Sequence, residues 1–206
     1  MHHAACSARL SLTSKPDLHR SMTANHTKQV IDKKYIAVFA VAVFFSWSAH
    51  ELAHWVAGEW LGYKMGMSLN AAYPLCGYYL QDSHYQLVSA AGPVFTLCEA
   101  IVVFVLMLQR RRVLLYPFLF TCFYMRLFAM VISFRNPNDE ARISSALGAG
   151  KFTLPLVMTA LLFLLVCKIS KQYRLRTIFN LASLGLAILF SSVIILADMY
   201  FKLRLL

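Results

Sequence analysis

Apolar residues fall along this chain in long blocks, separated by short polar, glycine-rich or basic breaks. Blocks at about Tyr35–Leu61, Gln86–Leu108, Val113–Phe134, Phe152–Ile169 and Leu175–Phe201 are each long enough to cross ~30 Å of hydrocarbon as helices. The pattern predicts an all-α multi-span membrane protein of about five transmembrane helices, with a short turn- and strand-rich insertion after the first. That insertion is Gly62–Tyr85, where Gly62, Gly66, Pro74 and Gly77 break up short runs rich in Tyr and Leu. Residues 1–34 are polar and basic and read as a disordered tail, with His2, His3, His19 and His26 at no ligand spacing. Residues 35–206 read as one membrane-embedded domain. The tail does not resemble a signal peptide, because the first apolar run begins only at Tyr35, and Met22 is an alternative start.

Composition supports this division. Of 206 residues, 59 % are hydrophobic, far above a soluble domain. The formal net charge of +11 would suit a nucleic-acid partner, but the basic residues sit between the apolar blocks and form no common face. They are flanking charges of membrane helices, and no nucleic-acid partner is expected. The most basic flanks are the tail (Lys28, Lys33, Lys34), Arg110–Arg112 and the Lys168–Arg176 connection. Five spans place all three on one side, consistent with a cytoplasmic N-terminus. The C-terminal end of the first helix and the loop after the third then share the opposite side. The five cysteines (Cys6, Cys76, Cys98, Cys122, Cys167) show no paired spacing and imply neither a disulfide framework nor a second metal site.

Chemistry concentrates in the first block, at His50-Glu51-Leu52-Ala53-His54. Residues four apart on a helix differ by 400°, so both imidazoles point the same way and can reach one Zn²⁺. Glu51 lies beside them, placed to take a proton from a metal-activated water without itself being a ligand. A carboxylate and two imidazoles within an apolar helix are costly to keep and mark a functional site. The plain alternative is three buried polar side chains satisfying one another.

Two further segments join this motif. Ala90-Ala91-Gly92-Pro93 opens the second block, and Asn136-Pro137-Asn138-Asp139-Glu140 follows the third. With the HExxH run, they make residues 36–147 resemble the site-2 protease family of intramembrane zinc metalloproteases. The chain departs from that family's pattern at Glu140, where glycine is usual, and at Thr96, where asparagine often follows the Gly-Pro. The resemblance implies peptide-bond hydrolysis in membrane-protein substrates, zinc held by His50, His54 and a later aspartate, and strand structure near the site. Asp139 stands at the position of that aspartate, and Glu140 is the alternative ligand. On the residues alone, Asp139 and Glu140 read equally as a polar loop or a helix cap.

Other polar residues within the blocks receive simpler readings. Glu99 and Arg126 lie near mid-span on consecutive antiparallel helices and are expected to pair. His84 reads as a satisfied loop histidine, and Asn180 and Asp198 as packing residues near the ends of the last span. The competing functional class is a membrane protein without activity: a transporter, a scaffold or an inactive metal-binding relative. Neither the substrate nor the oligomeric state is written in the sequence.

Overall fold

The computed structural model describes residues 31–201 and 205–206, so the 1–34 tail expected from sequence lies almost wholly outside the described residues. Its helices are α1 (Lys33–Trp60), α2 (Asp82–Arg110), α3 (Tyr116–Ile132, entered through a 3-10 turn at Val113–Leu115), α4 (Asp139–Ala146), α5 (Thr153–Gln172) and α6 (Thr177–Phe201). Five helical segments are long and apolar enough to cross a membrane, and α4 is not among them. The arrangement is that of a multi-pass membrane protein.

Apart from α3, each long helix buries one stripe and leaves the rest apolar and exposed, as lipid contact requires. In α1 the buried residues Tyr35, Phe39, Val43, Trp47, His50 and His54 recur every three or four positions. The two histidines thus continue the stripe that packs the bundle. In α2 the corresponding stripe is Val88, Gly92, Thr96, Glu99, Val103 and Met107. Helix α3 is the most enclosed and packs against α1, α2, α5 and α6. At one end of the bundle Tyr35 Oη and Ser183 Oγ are 2.8 Å apart, Tyr116 donates to Asn180 and Tyr173 donates to the Met107 carbonyl. Asn180 is therefore a hydrogen-bonded tie between helices.

The other end carries the insertion, an antiparallel hairpin of β1 (Met65–Met67) and β2 (Ala72–Pro74) with Gly66 opposite Tyr73. It is fastened from three directions. The Met65 N–H donates to the Glu59 carboxylate, Trp55 Nε1 donates to the Met65 carbonyl, and Asp198 of α6 accepts from Ser68 Oγ and the Leu69 N–H. Gly58 makes room for the Met65 side chain under the hairpin, since a Cβ there would stand 2.4 Å from Met65 Sδ and displace it. His84 meets Tyr63 Oη at 2.9 Å, the satisfied loop histidine expected. The tryptophans divide: Trp47 is buried against Phe128, while Trp60 is 88 % exposed at the helix end, where an interfacial anchor belongs.

One expectation fails. Glu99 does not pair with Arg126. Ser46 donates to Glu99 at 2.7 Å, whereas Arg126 pairs with Glu140 at 2.6 Å and lies 3.4 Å from His50 Nδ1. Ser46 and His50 are four residues apart on α1, about one helical turn or ~5.4 Å. The two charges therefore lie at different levels of the bundle, and Arg126 is the one level with His50.

Candidate metal centre

His50 and His54 project from α1 into the gap between α2 and α4. Gly92 makes that gap, because a Cβ there would lie 2.3 Å from His54 Nε2 and 2.4 Å from His50 Cε1. Pro93, next in the chain, sits within a continuous α2. The Gly-Pro segment therefore serves the site through the missing side chain of its glycine.

Hydrogen bonds hold both imidazoles in place. His54 Nδ1 stands 2.6 Å from the Val88 carbonyl, which can only accept, so Nδ1 carries the proton. His50 Nδ1 is 3.0 Å from Thr96 Oγ1, a hydroxyl that already donates to the Gly92 carbonyl at 3.0 Å. That hydroxyl is left to accept from Nδ1, whereas Arg126 Nη2, which can only donate, lies 3.4 Å from the same nitrogen and competes with it. The two Nε2 atoms face each other across 3.2 Å.

Asp139 completes the group. Its Oδ2 lies 3.5 Å from His50 Nε2 and 3.3 Å from His54 Nε2. Three atoms able to act as metal ligands thus face one another in a buried space. Tetrahedral ligands with bonds of roughly 2.0–2.1 Å are separated by about 3.3–3.4 Å, which matches these spacings. The buried His50, His54 and Asp139 group can hold a metal ion. Burial alone would raise the Asp139 carboxyl, but the hydrogen bonds and charge of His50 and His54 outweigh it and hold the group well below the usual carboxylate range. Asp139 is thus ionised.

A second shell of contacts orients Asp139. It is the first residue of α4, and the turn before it is closed by Ser133, whose hydroxyl accepts from the Asn138 N–H at 3.1 Å. Arg142, one turn along α4, donates to Asp139 Oδ1 and leaves Oδ2 for the histidines. Its guanidinium lies over the Tyr85 ring at 5.2 Å to the centroid. Glu140, 100° further round the helix, is turned to Arg126 and takes no part in the histidine group. Of the two carboxylates left open by the sequence, Asp139 is the one brought to the histidines.

Glu51, adjacent in sequence to His50, lines a cavity of about 600 Å³ together with His54, Asp139 and Arg142. No hydrogen bond ties its carboxylate to the protein among the described residues. A buried carboxylate without such a bond, beside a cavity roomy enough for water, is available to exchange a proton. Sequence reading missed Arg142 and the role of Glu140. The signal lay in the helix-cap alternative itself, Asn138 followed by two acidic residues and a basic residue at i,i+3 to Asp139.

Comparison of the chain with protein-family models, curated proteins and solved structures finds no match.

Proposed function

We propose that this protein is an intramembrane zinc metalloprotease of the site-2 type, hydrolysing peptide bonds of membrane-bound substrates. The observation that carries the reading is the convergence of three ligand atoms within 3.5 Å of one another, beside a carboxylate with no hydrogen bond among the described residues. A site for metal storage or transport needs the first feature and not the second. Zinc is favoured over harder cations by two imidazoles and one carboxylate, a donor set typical of catalytic zinc with one position open.

In this reading His50, His54 and Asp139 hold the ion, and Thr96, the Val88 carbonyl and Arg142 keep those three side chains in their ligating orientation. Bound zinc would polarise the scissile carbonyl and acidify a water at the open position. Glu51 takes the proton of the attacking water and returns it to the leaving amine, the two duties of a general base and acid. The hairpin supplies a place for the substrate backbone. β2 lines the cavity and pairs only with β1 in its two-stranded sheet, so its outer edge can take an extended segment by main-chain hydrogen bonds.

The test is co-expression of single-span reporter proteins with the wild type and with Glu51→Gln, reading cleavage and zinc content together. The proposal expects cleavage by the wild type alone, with zinc in both. Zinc without cleavage in the wild type would make the protein a metal-binding membrane protein and not an enzyme.

A further inference from the structure

The long helices alternate in direction, so the loops fall into two sets with opposite surroundings. At the end away from the histidines lie Lys33 and Lys34, Arg110–Arg112, Lys168, Lys171, Arg174 and Arg176, nine basic residues among those described. At the histidine end the described basic residues are Lys64, Arg135, Arg142 and Lys151. The sequence adds Lys202 and Arg204 after α6, and Arg20 and Lys28 before α1. Short loops rich in Lys and Arg stay on the cytoplasmic side during insertion, and acidic residues contribute little to that choice. Nine against four among the described residues, or eleven against six with those flanks, therefore orients the histidine end away from the cytoplasm.

Depth and lining bear on what can enter there. His54 is six residues from the exposed end of α1 at Trp60, a rise of about 9 Å, so the site lies near the membrane surface and not at its centre. The cavity over it is walled by Tyr73, Tyr78, Tyr79 and Tyr85, with Asp82 and Arg142 among them. Tyr78 and Tyr73 are themselves exposed, at 62 % and 41 %. Phenol hydroxyls, a carboxylate and a guanidinium are poor surroundings for the leucines and valines of a transmembrane helix. They suit a hydrated, extended stretch whose amides and polar side chains can be hydrogen-bonded.

From these observations, and resting on the protease reading above, we infer that the substrate segment is a polar, extended stretch flanking a membrane span on the non-cytoplasmic side. It enters from the aqueous phase at that face, beneath the hairpin. A span interior need not unwind for such a substrate to be cut.

A native residue reports the orientation. Cys76 is exposed in the turn after β2, at the mouth of the cavity. In sealed right-side-out vesicles carrying the full chain, a membrane-impermeant maleimide should label Cys76 before permeabilisation, and Cys76→Ala should remove that signal. Labelling only after permeabilisation would overturn the orientation whatever the protein's activity. A second measurement tests the substrate. Three single-span reporters carry one polar tract on the non-cytoplasmic flank, in the cytoplasmic flank or as an insert at mid-span. The inference expects cleavage of the first alone, abolished by Glu51→Gln. Cleavage of either other reporter in preference overturns the substrate assignment while leaving the protease reading intact, and cleavage of none removes both.

Discussion

Arg126 of α3 donates to Glu140 of α4 at 2.6 Å, with both side chains 3 % exposed. This pair fastens the short helix that begins with Asp139 to the centre of the bundle, one residue from a ligand position. Removing one partner leaves a charge buried without compensation, at a cost of about 3–5 kcal/mol, whereas replacing both with apolar residues costs far less. Arg126→Met or Glu140→Leu alone should lower the unfolding midpoint in detergent sharply, and the double variant should recover much of the loss. Equal destabilisation by the single and double variants would show that the pair is not the fastening.

Gly92 offers a test of the site that leaves its chemistry untouched. Gly92→Ala places a methyl group within 2.4 Å of both imidazoles, so the rings must swing aside. Metal content should fall while helicity and detergent extraction remain those of the wild type. An alanine variant that binds metal normally would mean that the rings do not occupy this gap.

His50 and His54 should bind the ion jointly. His50→Ala or His54→Ala should each release most of the zinc from purified protein, measured by elemental analysis, and a chelator should strip the wild type more slowly than either. Stoichiometric zinc in the double variant would dispose of this site.

Arg142 reaches Asp139 from the cavity side and fixes which carboxylate oxygen faces the histidines. Side chains that hold a ligating group in its orientation change metal affinity by about 10–100-fold when removed. Arg142→Leu should weaken zinc binding by that order in a competition titration, with Arg142→Lys intermediate, because an ammonium keeps the charge but not the planar fork.

Glu51→Gln separates ligand from base. An amide cannot take the proton, so cleavage should fall by about 10²–10⁴-fold while zinc stays bound. Loss of zinc together with activity would recast Glu51 as a ligand or a packing residue.

The sequence by itself determined the number of spans and the hairpin insertion, because hydrocarbon thickness sets a length that an apolar block either reaches or does not. It also determined that His50 and His54 share a face, since four residues on a helix return to nearly the same direction whatever surrounds them. Only tertiary structure decided the fates of Asp139 and Glu140. Adjacent residues on a helix point 100° apart, so the packing of α4 against α2 and α5 sends one carboxylate to the histidines and the other to Arg126. The same holds for Glu99 and Arg126: an antiparallel run brought them near in depth on paper, and the axial offset of α2 against α3 set them one turn apart. Periodicity is a property of each helix alone, whereas the relative rotation and offset of two helices belong to the interface between them, and no single segment of sequence contains it.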